Sequence, residues 1–259
     1  MYYQINNVRL FVRDEGNGNP VLIFLHFWGG SSATWKSVTD ILKDKYRCIS
    51  YDHRGWGESE KPGYGYSIES LAKDTLELIW QMKVKNYILV GHSMGGKIAQ
   101  YIAAQQPEGL QRLILVAPSP STPTIMPKEM QEGMRNAYTS IEAINATIDH
   151  VFNAGDLDNA VRMELTEGIQ KHTEASRLGW TDIALLEDVS AGVNDIKTPT
   201  LIIAGEKDII DSPERLQREV QAMIPNSQMT VIPNTGHLIM LQEPQKLAKL
   251  IDDFIAGAA

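Results

Sequence analysis

Several things are scarce in this sequence, and each scarcity closes off a class of protein. Among 259 residues there is one cysteine, Cys48, so no intrachain disulfide can form and a reducing compartment is the simplest setting. Its place in Tyr46-Arg47-Cys48-Ile49-Ser50 suits a buried structural thiol. Positive charge is also short. The 24 Lys and Arg face 32 Asp and Glu, for a formal net charge of -8, which is the wrong sign for a phosphate-backbone partner, so no nucleic acid is expected. Apolar runs such as Val21-Leu22-Ile23-Phe24-Leu25 are short, far below the roughly 20 residues that a bilayer span needs. The start, Met1-Tyr2-Tyr3-Gln4-Ile5-Asn6, shows neither a basic n-region nor an apolar h-region. No membrane association and a cytoplasmic location are expected. The six histidines are scattered, with no H-E-x-x-H and no C-x-x-C, so no metal is expected. G-x-G pairs begin at Gly16, Gly55 and Gly63, but none carries the third glycine in a strand-to-helix context; they read as turns, and no cofactor is expected. Internal repeats and low-complexity tracts are missing too.

What the chain does contain is an alternation of short apolar runs with helical spacing. Residues 8–12 alternate like a half-exposed strand, 21–25 read as a central strand, 35–43 as a helix and 46–51 as a strand. A loop over 52–59 leads to an amphipathic helix over 67–82, with apolar residues at Ile68, Leu71, Ala72, Leu78 and Ile79. A buried strand over 87–90, a helix reaching 106 and a strand over 112–117 follow. The alternation then stops until Thr200. The stretch 118–127 is proline-rich, and beyond it comes helical spacing broken near Tyr138, Gly155 and His172. The simplest reading is a helical cap inserted at the carboxyl ends of the strands, where such folds bind ligands; a helical extension packed elsewhere is the alternative. Strands over 200–204 and 229–232 resume the sheet. Ser212-Pro213-Glu214 marks a helix start, with a hydroxyl cap, a first-turn proline and a carboxylate at the positive end. A last helix runs over 244–255. The expected organisation is a core of 1–120 and 195–259 with a cap of 121–194, folding as one unit.

The chemistry-bearing stretch is Gly91-His92-Ser93-Met94-Gly95-Gly96, between the strand ending at Val90 and the following helix. Gly-x-Ser-x-Gly in that context is a nucleophile elbow: the chain turns so sharply that a Cβ at the flanking positions would strike neighbouring backbone, and the serine is left strained and projecting. Gly91 to Lys97 also fits G-x-x-x-x-G-K, but Ile98 follows and offers no hydroxyl for magnesium, which disfavours a phosphate-binding loop. A serine hydroxyl needs a base, and His237, on the loop Asn234-Thr235-Gly236-His237 after a strand, is the best placed. The imidazole needs a carboxylate. Asp208 stands at the end of the preceding strand, with Glu206 and Asp211 as rivals. His92 is expected to point away from the hydroxyl, His26, His53 and Arg54 to brace the fold, and His150 and His172 to lie on the cap surface.

With the order Ser93, Asp208, His237 in place, the chain resembles the α/β-hydrolase superfamily over residues 8–255. The matching marks are Leu25-His26-x-Trp28-Gly29-Gly30, Asp52-His53-Arg54-Gly55-x-Gly57-x-Ser59, Gly91-His92-Ser93-Met94-Gly95-Gly96, Gly205-x-x-Asp208 and Gly236-His237 with Glu243-Pro244 beyond. The resemblance implies an α/β class fold, a mostly parallel doubly wound sheet with an inserted helical lid. It implies a Ser93, Asp208, His237 triad and an oxyanion hole made of the Met94 and Trp28 backbone N–H groups. Some members supply the acid before the lid, but Ala117-Pro118-Ser119-Pro120-Ser121 has no carboxylate. One departure is Phe27, where the family usually has glycine; Phe27 and Trp28 are expected to narrow an apolar acyl pocket. A serine nucleophile points to acyl transfer, away from the aspartate-dependent epoxide hydrolases and haloalkane dehalogenases. The implied activity is hydrolysis of a carboxylic ester or lactone of a small, largely apolar molecule, without cofactor or partner protein, and falling as His237 protonates below roughly pH 6 to 7. Cofactor-free haloperoxidase or perhydrolase chemistry, carbon-carbon bond hydrolysis (disfavoured by Leu238 where an aromatic is typical) and a small-molecule receptor role are the alternatives. Ile125, Met126, Ile144, Ile148, Val151 and Trp180 are expected to serve mostly as cap packing.

Overall fold

The computed structural model describes residues 1–257. The chain opens with a hairpin of β1 (Tyr2–Ile5) and β2 (Val8–Glu15), turning on Asn6 and Asn7 at φ 43° and 66°. Next come β3 (Val21–Leu25), α1 (Lys36–Leu42), β4 (Arg47–Tyr51), α2 (Ile68–Gln81), β5 (Tyr87–His92), α3 (Met94–Ala104) and β6 (Leu110–Val116). A block of helices follows: α4 (Lys128–Asn136), α5 (Ile141–Ala146), a wide turn over Thr147–Val151, α6 (Asn159–Ile169) and α7 (Glu174–Asp182). The sheet then resumes with β7 (Thr200–Gly205), α8 (Pro213–Glu219), β8 (Ser227–Ile232), α9 (Ile239–Gln242) and α10 (Pro244–Ala256). Among the described residues no helix is long and apolar enough to cross a membrane.

One eight-stranded sheet has the order β1-β2-β4-β3-β5-β6-β7-β8. The pairs β1/β2 and β2/β4 are antiparallel, and every pair from β4 to β8 is parallel. β3 and β5 are buried along their whole length, as strands covered on both faces must be. Alternation sends Ile23, Leu25 and Leu89 into one apolar layer with Leu71 of α2 and Ile98 of α3, and Leu22, Phe24, Ile88 and Val90 into the other with Val38 of α1 and Ile251 of α10. Each such side chain contributes roughly 1.5–3 kcal/mol on burial. The helical block has no core of its own: Tyr138, Ile144, Ile148, Phe152 and Trp180 belong to the same apolar layer as Leu25 and Leu89.

Most expected elements stand where the pattern puts them, breaks in the helical block included. The structure adds β1 and α9, which the sequence pattern does not predict. It also lengthens β2, β5, β6 and β8 by a few residues at their ends. β1 is short and mostly exposed, so its apolar signal is weak; the adjacent pair Asn6-Asn7 between alternating runs is the turn signal that reveals it. Cys48 is buried, as expected. Arg54 does brace the fold. Arg54 is 4% exposed and gives Asp74 two hydrogen bonds, Nε to Oδ2 at 2.6 Å and Nη2 to Oδ1 at 2.7 Å, which fastens the 52–59 loop to α2.

Candidate active site

The parallel strands deliver their ends to one place. At the end of β5 the chain turns into α3 through Ser93, at φ 51° and ψ -113°. That conformation is disfavoured for a side-chain-bearing residue. The small flanks are a packing necessity: a Cβ on Gly91 would lie 2.4 Å from the Gly95 carbonyl oxygen, one on Gly95 2.4 Å from that of Leu25, and one on Gly96 2.5 Å from Pro118 Cβ. The turn is held by hydrogen bonds from Ser93 N–H to Val116 O at 3.2 Å and from Ser119 N–H to Ser93 O at 3.1 Å. Met94 opens α3, where the first N–H groups of a helix have no partner within it.

After β7, Asp208 turns its carboxylate onto the loop that follows β8. His237 Nδ1 lies 2.7 Å from Asp208 Oδ2, and Asp208 Oδ1 accepts from Ile210 N–H at 2.8 Å and Asp211 N–H at 3.1 Å. The other candidates for this role are turned elsewhere: Glu206 accepts from Asn234 N–H at 2.7 Å, and Asp211 pairs with Arg215. Burial works against a charged Asp208, but the charge and hydrogen bond of His237 and the two loop N–H groups hold its pKa below the ordinary value. For His237 burial again opposes charge, and Asp208, by charge and hydrogen bond, then Asp211, overcome it and raise the imidazole's pKa. The imidazole therefore holds a proton more readily than an ordinary histidine, whose pKa is about 6.5.

Several residues hold this imidazole in place. His237 N–H donates to Phe152 O at 2.8 Å, and the Phe152 ring stacks on the imidazole with centroids 5.6 Å apart. His92 is turned away from the elbow hydroxyl, as expected, and its Nε2 bonds to His237 O at 2.9 Å. Burial, then the charge of His237, push the His92 pKa far down, so it serves as a neutral donor. His26 is likewise neutral, its pKa lowered to about 4 chiefly by burial. Its Nε2 accepts from His53 N–H at 2.9 Å, so Nδ1–H donates to Phe27 O at 2.7 Å, tying the Phe27-Trp28 turn to the neighbouring loop. Phe152, like Tyr138 and Arg215 below, has no mark in the sequence that singles it out, because its role arises from contacts across the helical block.

Ser93, His237, Phe27 and Trp28 all line one cavity of about 970 Å³ between the strand ends and the helical block. The Ser93 and His237 side chains share its wall without a hydrogen bond between them in this structure, and such bonds often close only around substrate. Phe27 is 1% exposed and wedged edge-on against His92 and Phe152; Trp28 packs on Tyr138, whose hydroxyl donates to Trp28 O at 2.8 Å. Of the block residues expected mostly to pack, Ile125, Met126, Val151 and Trp180 line the cavity, Ile144 lines a smaller hollow within the block, and Ile148 is pure packing. That expectation fails because a helix over a cavity presents the same apolar stripe as a helix over a core. His172 is also not a surface residue: it is half-buried, with its ring on Trp56 at 5.5 Å.

The cavity has one charged side. Asp211 is fully enclosed, its carboxyl pushed up to about 7 by burial and then by Asp208. Arg215 gives Nη1 to Asp211 Oδ1 at 3.1 Å, Nε to Glu219 Oε2 at 2.8 Å and Nη2 to Thr124 Oγ1 at 3.0 Å.

A family model described as alpha/beta hydrolase fold matches residues 20–143 and 145–244. The AB hydrolase superfamily protein YisY of Bacillus subtilis (strain 168) is 33% identical, over 96% of this chain and 96% of its own. Among solved structures, an esterase from Exiguobacterium antarcticum superposes with TM-score 0.89 at 23% identity, covering 98% of both chains. The enol-lactonase from Burkholderia xenovorans LB400 superposes with TM-score 0.87 at 23% identity, over 99% of this chain and all of that one (100%). At such identities the two superpositions speak for the fold.

Proposed function

This chain belongs to the alpha/beta hydrolase fold family, and from that premise we propose that it is a serine hydrolase cleaving a carboxylic ester or lactone of a small, largely apolar molecule. The observation that carries the reading is the buried Asp208–His237 pair at 2.7 Å in the wall of the cavity that Ser93 also lines. With Nδ1–H committed to Asp208, the Nε2 lone pair of His237 is the one left to take a proton.

In the proposed reaction His237 Nε2 removes the Ser93 Oγ proton as Oγ attacks the carbonyl carbon. The carbonyl oxygen gathers negative charge and turns toward the Met94 and Trp28 N–H groups. The tetrahedral centre collapses, the bond to the alcohol oxygen breaks, and His237 returns its proton to that oxygen. A water, deprotonated by the same imidazole, then attacks the acyl-enzyme and releases the acid with Ser93 regenerated. The helical block, taken as residues 121–194, serves as the lid that supplies the apolar walls, and Phe27 with Trp28 closes the acyl side. A lactone follows the same course with both products in one molecule.

Ser93→Ala should reduce turnover of p-nitrophenyl esters by about 10³-fold or more, to the level that binding and oxyanion donors sustain without a nucleophile. Retention of wild-type kcat would sink the mechanism. Graded acyl esters, a lactone series and a peracid assay, run in parallel, separate ester and lactone hydrolysis from perhydrolysis.

A further inference from the structure

A second hollow, of about 380 Å³, opens in the helical block and shares no lining residue with the catalytic cavity. Its lining is polar, and the residue that sets its character is Arg177. Arg177 is 8% exposed, yet among the described residues its guanidinium donates no hydrogen bond; its ionic neighbour is Glu174 Oε1 at 3.8 Å, on a side chain that is 79% exposed. The fold does not treat its other deeply buried arginine this way, since Arg54 gives two close hydrogen bonds to Asp74. A guanidinium on a largely buried side chain, with its planar fork of donors unpaired and open to the hollow, suits a bidentate oxygen partner.

We infer that the hollow bounded by Tyr138, Ser140, Gln170, His172, Glu174 and Arg177 is a binding site for a small oxyanion, a carboxylate or a phosphate, seated on the Arg177 guanidinium. One further donor stands near that position, the Gln170 amide exposed at the rim; the Ser140 hydroxyl is taken up, its oxygen accepting from Ala143 N–H at 3.1 Å and its proton given to the Glu142 carboxylate. Glu174 is the competitor: a solvated carboxylate that an incoming anion displaces. His172 is closed to this role on one side, its Nδ1 being bonded to Ile169 O at 2.7 Å.

The hollow is wired to the catalytic cavity. Trp28 Nε1–H donates to Arg177 O at 3.2 Å, and Tyr138, which lines the hollow, donates to Trp28 O at 2.8 Å. The indole N–H of Trp28 is therefore an internal reporter. The experiment is a titration of the full chain with inorganic phosphate, and separately with acetate, at constant ionic strength, following that indole resonance by 1H–15N NMR. The expected result is a saturable shift, weakened at least about tenfold in Arg177→Gln, where the charge-assisted partner is lost. Binding should tighten about two- to fivefold in Glu174→Gln, where an exposed competing carboxylate is removed. Saturation by either anion supports the site, and the tighter of the two tells a phosphate ligand from a carboxylate one. No saturation by either anion, or binding unchanged in Arg177→Gln, overturns it. Should Arg177→Gln fail to fold, Glu174→Gln decides alone: absence of tightening overturns the assignment.

Discussion

At the residue scale, Asp211 is the group whose effect is easiest to misjudge. It makes no bond to His237, yet its charge helps hold the imidazolium, and its own carboxyl is pushed up to about 7. In the proposed mechanism the base must be neutral, so activity should fall as pH drops through the raised pKa of His237. Replacing Asp211 by Asn removes one of the charges that raise it. The acid limb of kcat/KM should then move to lower pH, by roughly half a unit to one unit; a pH–rate profile on one ester checks this, and an unmoved limb refutes it. The partnership of Asp208 with His237 is legible in the sequence because a carboxylate and a Gly-His pair each follow a strand. Asp211 is present there only as a rival for the acid's place, since its enclosure beside Arg215 comes from α8 meeting Thr124 across the chain.

Among the elements, α3 does more than aim a serine. Lys97, one turn after the elbow, is fully buried and donates to Leu185 O at 3.2 Å, Glu187 O at 2.8 Å and Thr122 O at 3.3 Å. It thus clasps the helical block at both of its ends. Burial lowers its pKa to about 8. Because the folded value is depressed, the fold gains from this group as pH rises from about 8 toward the unfolded value near 10.4. Lys97→Met should leave carbonyls without a donor and cost about 1–3 kcal/mol; urea unfolding at pH 7 measures it as a lower midpoint with little change in slope. In the sequence this lysine looks like the end of a phosphate-loop pattern, and Ile98 rules that reading out without revealing the clasp. Helices with clear caps and strands with unbroken apolar runs are legible, because the signals are local. The short edge strand β1 and the four-residue α9 are not: β1 is mostly exposed and its apolar pattern faint, and α9 is too short to show a helical period.

For the molecule as a whole, the helical block and the sheet share one apolar layer, one lysine clasp and the Phe152–His237 contact. Unfolding should therefore be a single event. Far-UV circular dichroism and tryptophan fluorescence are expected to give coincident thermal transitions, and a separate early transition in fluorescence would show the block melting by itself. The strain at the elbow then has a consequence for anyone improving this protein. Ser93 occupies a backbone region that glycine enters without penalty, so Ser93→Gly should raise the melting temperature while removing the proposed nucleophile, with relief on the order of 1 kcal/mol. A library sorted on heat tolerance alone would enrich inert variants at this position and score them as successes. Directed evolution of this scaffold needs turnover in the sorting step from the first round.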